Sequence, residues 1–326
     1  MHRNSLKAFM FAVILMIFMG GNATARDSTI LKIGYSDWPG WVAWEIGIEK
    51  GWFKEAGVDA RFFWYDYVAS MDAFAMGKLD AVCMTNCDAL VTGTSARRGK
   101  AIMVNDYSNG SDMIVARSGI NDLKDLKGKK IALEVGLLEQ LLLRKALEKN
   151  GITESDVSII NLPTDKLPFA LKLGKVDAIA AWQPYSGEAL KASPGAKVIF
   201  SSADLPGLIY DTLFVADESI LGQPEEWQKV VQVWFRIAAY LKDPANKSEA
   251  LKIMSKRVET SPDDYELMID GAFVLGMEEN KKIYQQGDGL DSIYGSTRVS
   301  DQFNVSAKNY NSSQDVTTFI HDGFLK

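Results

Sequence analysis

The stretch Ile33-Gly34-Tyr35-Ser36-Asp37-Trp38-Pro39-Gly40-Trp41 joins a short apolar run to a polar, aromatic turn. The apolar run predicts a buried strand, and apolar residues from Val42 to Lys50 recur at helical spacing. Open α/β sheets bind ligands where a strand passes through a turn into a helix, because side chains and backbone N–H groups there face a crevice. We therefore predict a ligand site that includes Asp37 and Trp38.

Strand and helix patterns alternate along most of the chain beyond this stretch, with short connections. Such alternation predicts α/β lobes in which mostly parallel sheets are flanked by helices. The β-like segment 208–215 is expected to cross back to the first lobe, and the tryptophans of the helical segment 225–241 are expected in the core. The predicted strands are 31–35, 58–65, 81–84, 101–105, 130–133, 157–162, 178–181, 197–201 and 208–215, and the predicted helices are 42–50, 68–76, 87–94, 137–149, 167–173, 225–241, 247–256, 262–274 and 316–324.

A repeated element divides this pattern into two halves. Residues 74–81 read FAMGKLDA and residues 169–178 read FALKLGKVDA, with the same order of helix, Gly-Lys, apolar residue and Asp-Ala. Each copy comes before the third strand of its half, which favours a duplicated lobe over a repeat array. We predict a first lobe of residues 26–112 plus 213–326 and a second lobe of residues 113–212, hinged by the segments that cross between them.

Residues 1–25 have the pattern of a secretory signal peptide. Arg3 and Lys7 precede the apolar run 8–19, and Ala23-Thr24-Ala25 is typical of a cleavage site. The run is shorter than the roughly 20 residues that a membrane-spanning helix needs. The cleavage region also has no cysteine that would carry a lipid anchor. We predict a protein that is exported to the periplasm and released there.

The composition left after this cleavage argues against several classes of function. Loss of Arg3 and Lys7 lowers the net charge from −6 to −8, and an acidic chain without a basic run is not expected to bind nucleic acid. His321 is then the one remaining histidine, which argues against a histidine metal cluster and a histidine-based catalytic site. We predict a binding protein with no catalytic residues, no metal and no cofactor.

Cys83 and Cys87 are the two cysteines of the chain. They span a predicted strand end and helix start, a spacing that rarely brings Cα atoms within the roughly 7 Å that a disulfide requires. Two buried free thiols are the favoured interpretation. A bridge formed in an oxidising compartment is the alternative.

Five sequence runs together resemble the nitrate/sulfonate/taurine type of ABC-importer substrate-binding protein. The resemblance implies a two-lobed periplasmic-binding-protein fold, type II-like, with a ligand in the cleft, closure about a hinge and delivery to an inner-membrane ABC permease. A protein that opens and closes in this way is expected to be a monomer. The runs are residues 32–35 (KIGY), 49–58 (EKGWFKEAGV), 77–81 (GKLDA), 122–132 (DLKDLKGKKIA) and 174–178 (GKVDA).

Polar and aromatic residues at the predicted strand ends are the candidate ligand-binding residues. Family members that bind nitrate or sulfonate resemble one another in having small residues where helix N–H groups reach an oxyanion. This chain has instead Glu134 at the turn that opens the second lobe, and no Arg or Lys at any of these turns. The candidates are Asp37, Trp38, Tyr65, Asp66, Thr85, Asn86, Asp106 and Tyr107 in the first lobe, Glu134, Trp182 and Gln183 in the second, and Asp211 on the return crossing.

The carboxyl groups of this set decide the predicted ligand class. An unpaired buried carboxylate is costly, and two of them facing the ligand would repel an anion. We predict a cationic or neutral N–H donor, such as an amine, amidine, urea-like or heterocyclic nitrogen compound, enclosed by aromatic rings. For each acid, a role as a helix N-cap is the alternative. For the protein, the alternatives are a binder of a small oxyanion (nitrate, aliphatic sulfonate or taurine) and, less favoured, an enzyme that resembles a thiamin-pyrimidine synthase.

Overall fold

Residues 30–326 are described by the computed structural model, so the predicted signal peptide lies outside the described residues. The strands form two separate sheets, one of six strands and one of five. The strands are β1 (Leu31–Tyr35), β2 (Ala60–Trp64), β3 (Ala81–Thr85), β4 (Gly99–Ser108), β5 (Met113–Ala116), β6 (Lys130–Leu133), β7 (Ser158–Asn161), β8 (Ala178–Ala181), β9 (Lys197–Ser201), β10 (Tyr210–Ala216) and β11 (Ala272–Val274).

Each sheet combines a parallel unit with antiparallel strands. The first sheet has the order β11-β4-β10-β3-β1-β2, and the second has the order β7-β6-β8-β5-β9. Strands β2-β1-β3 and β7-β6-β8 are parallel, whereas β10 and β5 run antiparallel to both of their neighbours. The predicted α/β lobes are confirmed, but the sheets are mixed rather than mostly parallel. The reason is that the crossing strands enter each sheet from the opposite lobe.

Helices cover both sheets. The long helix from Pro224 to Lys242 buries Trp227 and Trp234 completely, as predicted, and the Trp234 ring lies 4.5 Å from that of Trp44. Among residues 30–326, no helix is both long and apolar enough to cross a membrane. The helices are α1 (Pro39–Val42), α2 (Trp44–Glu49), α3 (Trp52–Glu55), α4 (Tyr67–Ala75), α5 (Asn86–Ser95), α6 (Leu138–Lys149), α7 (Leu167–Lys172), α8 (Tyr185–Ala192), α9 (Asp217–Gly222), α10 (Pro224–Lys242), α11 (Lys247–Arg257), α12 (Pro262–Ile269), α13 (Met277–Ile283) and α14 (Ile293–Ser306).

The carboxyl-terminal region departs most from the sequence prediction. The helix predicted for 262–274 ends at Ile269, because Ala272–Val274 pairs as an edge strand with β4. The helix predicted for 316–324 is a short 3-10 turn, Val316–Phe319. Helices α13 and α14 were not predicted. Helix α14 buries a stripe of polar residues at four-residue spacing, which apolar periodicity does not detect: Ser296, Ser300 and Asn304.

The repeated element forms the same local structure in both lobes. Gly77 and Gly174 have left-handed φ values of 72° and 64°, which a glycine adopts without steric cost. The Asp80 carboxylate then accepts a hydrogen bond from the backbone N–H of Lys32 at 2.8 Å, and Asp177 accepts the equivalent one from Lys130 at 2.9 Å. In both lobes this aspartate therefore joins the third strand to the first, as expected of a duplicated unit.

Both cysteines are buried free thiols, which confirms the favoured interpretation. Burial raises the pKa of Cys83 and of Cys87 far above the ordinary thiol range. A thiol held protonated in this way is a poor nucleophile and metal ligand. These residues therefore act as small apolar side chains of the core.

Candidate functional site

The two sheets are joined by two crossing segments, residues 109–112 and 202–209. The segments are hydrogen-bonded to each other, since the Ser202 N–H donates to the Asp112 carbonyl at 2.9 Å. The Ser202 hydroxyl also lies 2.7 Å from that of Ser108, at the end of β4. Such paired crossings are positioned to act as a hinge. A closed cavity lies beside them, lined by Trp38, Trp41, Tyr67, Thr85 and Asp211 of the first sheet's lobe, Leu138 and Trp182 of the other, and Asp112 and Ile209 of the crossings.

Strand register brings three of the predicted residues into one row. Asp211 at the start of β10 pairs with Thr85 of β3 on one side and with Asp106 of β4 on the other. Directly paired residues project from the same face of a sheet, so the two carboxyl groups are neighbours. Burial raises the pKa of Asp106 to about 7 and the pKa of Asp211 well above its ordinary value, the latter also because Asp106 is close. Both shifts favour the protonated form of the pair.

Aromatic rings enclose the same cavity. Trp38 and Trp41 lie 6.3 Å apart, Trp41 and Tyr67 lie 5.4 Å apart, and Tyr67 and Trp182 meet edge to face at 5.5 Å across the two lobes. The indole N–H of Trp38 donates to Asp106 at 2.9 Å, which fixes the ring against the acid pair. Rings above carboxyl groups suit a cation, because their faces carry negative charge.

Three further buried acids lie around this cavity. Asp112 lines it, and burial raises the pKa of Asp112 to about 7. Asp88 accepts hydrogen bonds from the hydroxyls of Tyr67 and Thr85 at 2.7 and 2.9 Å, and burial still raises the pKa of its carboxyl to about 6. Glu139, in the first turn of α6, is completely buried. Its pKa is raised well above its ordinary value, first by burial and then by Asp112 and Asp88.

A wider cavity adjoins the closed one through Tyr67 and Trp182, and it forms the mouth of the cleft. Three predicted acids, Asp37, Asp66 and Glu134, line this mouth. The Tyr185 hydroxyl of the second lobe donates to Asp37 at 2.7 Å, so Asp37 holds the lobes together. Glu134 accepts from the Thr164 hydroxyl at 2.9 Å. The mouth has about 370 Å³ of space for the centres of water-sized molecules, whereas the closed cavity has about 10 Å³.

Five predicted residues line neither cavity. One of them is Asp106, which pairs with Asp211 of β10. Asn86 donates to Ser296 and accepts from the Tyr210 N–H, which anchors α14 to the sheet. Tyr107 stacks on Phe273 of the edge strand at 5.1 Å. Tyr65 is half-buried and its N–H donates to the Tyr35 carbonyl, and Gln183 is buried and its N–H donates to the Ser111 carbonyl.

The sequence prediction missed five residues that line the closed cavity, namely Trp41, Tyr67, Asp112, Leu138 and Ile209, and two buried acids beside it, Asp88 and Glu139. Glu139 did carry a signal, because residues three and four positions later, Leu142 and Leu143, are completely buried on the same helix face. A charged residue inside an apolar stripe is unusual enough to mark a site. Asp112 carried no such signal, since strand β5 after it was not predicted.

Two α/β lobes joined by paired crossings around a closed cavity define the class of two-lobed periplasmic binding proteins. The chain belongs to the NMT1-like family, whose model matches residues 24–255. It is similar to a protein of Brucella abortus that is provisionally named a binding protein, with 28% identity over 287 residues covering 86% of this chain and 88% of that one.

Among solved structures, the chain is similar to the periplasmic aliphatic sulphonate binding protein from Escherichia coli, with a TM-score of 0.75, 16% identity, and coverage of 90% of this chain and 92% of that one. The predicted resemblance to nitrate/sulfonate/taurine-type binding proteins and the two-lobed fold are thus confirmed. A desulfurization enzyme also shares the fold, with a TM-score of 0.63, 14% identity, and coverage of 90% and 97%. The fold therefore does not by itself separate binders from enzymes.

Proposed function

We propose that this protein is the periplasmic substrate-binding protein of an ABC importer, and that it captures a small cationic or neutral N–H-donating nitrogen compound by closure of its lobes. The observation that carries the ligand class is the charge of the site. Among the described residues that line the closed cavity and its mouth, every formally charged side chain is acidic: Asp37, Asp66, Asp72, Asp112, Glu134, Asp165 and Asp211.

Helix α6 supports this choice. The first turn of a helix attracts anions, and in an oxyanion binder it is the natural place for the ligand. Here that turn begins at the cavity residue Leu138 and carries Glu139, while the Leu138 backbone N–H stabilises the ionised form of Asp88 from the other lobe. The protein's own carboxyl groups thus occupy the place of an oxyanion, and a bound anion would meet their repulsion.

The names of similar proteins favour the alternative ligand class. The Escherichia coli structure is that of an aliphatic sulphonate binding protein, and a small oxyanion is therefore the second candidate for this chain. Its physical difficulty is that nitrate or a sulfonate needs donors, whereas the buried side-chain oxygens around the cavity are acceptors unless protonated.

An enzymatic role is less well supported than binding. The thiols of Cys83 and Cys87 are buried, and the pKa of His321 is lowered by burial at a site beside Phe324, on the carboxyl-terminal segment. We propose a monomer without catalytic activity that delivers its ligand to an inner-membrane permease, after removal of residues 1–25.

Calorimetry on residues 26–326 at pH 8 tests the ligand class. The panel is acetamidinium, methylammonium and urea against nitrate, methanesulfonate and taurine. We expect one or more of the nitrogen donors to bind, and to stabilise the protein by about 2.7 kcal/mol at a hundred times the dissociation constant. Tight binding of nitrate or a sulfonate, with no binding of the nitrogen donors, would establish the oxyanion alternative instead.

A further inference from the structure

The acids around the closed cavity have carboxyl oxygens without a hydrogen-bond partner. Asp112 and Asp211 line the cavity, are 1% and 2% exposed, and each leaves its Oδ2 atom unpartnered. Asp88 leaves Oδ1 unpartnered, and the completely buried Glu139 leaves both of its carboxyl oxygens unpartnered. Buried polar atoms are nearly always hydrogen-bonded in folded proteins, so this concentration at one cavity indicates a missing donor.

The unpartnered oxygens come from different parts of the fold. Asp211 lies on strand β10, Asp112 on a crossing segment and Glu139 on helix α6 of the second lobe. Glu139 directly follows the cavity residue Leu138, and Asp112 is close enough to raise the pKa of the Glu139 carboxyl. A ligand that satisfies all three needs N–H groups that point in several directions.

The shape of the cavity restricts the ligand further. Aromatic rings form its walls, and in this structure about 10 Å³ is free for the centre of a water-sized molecule, room for about one water, so a ligand of several atoms enters only if the lobes move slightly apart. The ligand must therefore be small and present a flat face to the rings. A quaternary ammonium has no N–H group, and a primary ammonium directs all of its N–H groups into one cone. An amidinium ion is flat, and both of its nitrogens carry N–H groups in the plane.

We propose that Glu139, Asp112 and Asp211 form a three-carboxyl subsite that binds the N–H groups of a small planar cation of the amidinium class. The inference rests on the proposed function and adds the ligand's shape and a binding residue on the second lobe. Glu139 lies on the second lobe and Asp211 on the first. The cation therefore contacts carboxyl groups of both lobes only when the cleft is shut, and this stabilises the shut form.

Selectivity of the unmodified protein is the first test. Calorimetry at pH 8 compares acetamidinium and guanidinium with methylammonium, tetramethylammonium and calcium. We expect an amidinium-type cation to bind at least about tenfold more tightly than methylammonium, and tetramethylammonium and calcium to bind more weakly still. If methylammonium, tetramethylammonium or calcium binds as tightly as the planar cations, the subsite is wrong while the proposed function stands. If no nitrogen compound binds and a sulfonate does, the proposed function itself fails.

Glu139→Gln keeps the size of the side chain and removes its charge. We expect acetamidinium to bind at least about tenfold more weakly to this variant, and urea, which is planar but neutral, to lose less. Glu148→Gln changes an exposed acid on the same helix and is the matched control, for which binding should equal that of the unmodified protein. Asp112→Asn tests the subsite separately if Glu139→Gln does not fold, as judged by its circular dichroism. Unchanged acetamidinium affinity in whichever of these variants folds would overturn the assignment.

Discussion

Closure of the empty cleft should depend on pH through Asp112. In the closed structure this carboxyl is 1% exposed, and burial raises its pKa from 3.8 to about 7. Between these two pH values the closed state holds a proton that a solvated carboxyl in an open cleft would release. Closure is therefore favoured at low pH and loses stability as the pH rises through 7.

The size of the effect follows from the two pKa values. A shift of about three units corresponds to about 4 kcal/mol, an upper limit that applies if opening returns Asp112 fully to water. Asp88, Asp106, Asp211 and Glu139 surround the cavity with raised pKa values and act in the same direction. Even a quarter of this free energy changes the ratio of open to closed molecules about fivefold.

Small-angle X-ray scattering of the ligand-free protein measures this equilibrium. We expect a larger radius of gyration at pH 8 than at pH 5, and a smaller change in Asp112→Asn, which cannot ionise at this position. Asp263→Asn alters an exposed acid on α12 and should respond like the unmodified protein. Identical scattering of the unmodified protein at pH 5 and pH 8, or an Asp112→Asn variant that opens as fully, would refute the reasoning.

Three other changes test separate parts of the structure. Tyr185→Phe removes the hydroxyl that donates to Asp37 across the cleft at 2.7 Å. The bound ligand should then dissociate about fivefold faster, which corresponds to a hydrogen bond of about 1 kcal/mol. An unchanged dissociation rate in stopped-flow tryptophan fluorescence would exclude a role of this hydroxyl in holding the cleft shut. Trp182→Ala removes a ring that contacts Tyr67 of the opposite lobe, and it should weaken ligand affinity in calorimetry by more than Trp182→Phe does. Equal losses of affinity in the two variants would mean that the ring face does not contribute to binding. Asp80→Ala and Asp177→Ala each delete the hydrogen bond that joins the third strand to the first. The free energy of unfolding in urea should fall by about 1 kcal/mol in each variant, and a fall in only one of the two variants would contradict their equivalence.

The local parts of this fold could be predicted from the sequence. The Gly-Lys and Asp-Ala pattern at Gly77 and Gly174 predicted the same turn in both lobes, because a left-handed glycine and a strand-joining aspartate act within a few residues of each other. The acids at strand ends were also predicted, since a strand's end is visible where apolar residues give way to polar ones. Helix α14 was missed because its buried stripe is polar.

Assembly of the site depended on contacts that no local pattern contains. Asp106 and Asp211 became neighbours through antiparallel register, and Asp37 met Tyr185, 148 residues away, through packing of the lobes. Pairing of β11 with β4 places Tyr107 against Phe273, away from the cavity.

The sequence alone determined that this is an acidic chain of two α/β lobes with carboxyl groups at the strand ends, because periodicity and turn chemistry act over a few residues. Only the tertiary structure decided that Asp211 reaches the closed cavity whereas Asp37, Asp66 and Glu134 line its mouth. Burial, strand register and the approach of one lobe to the other are properties of the folded chain, and they bring acids that are far apart in the sequence around one cleft.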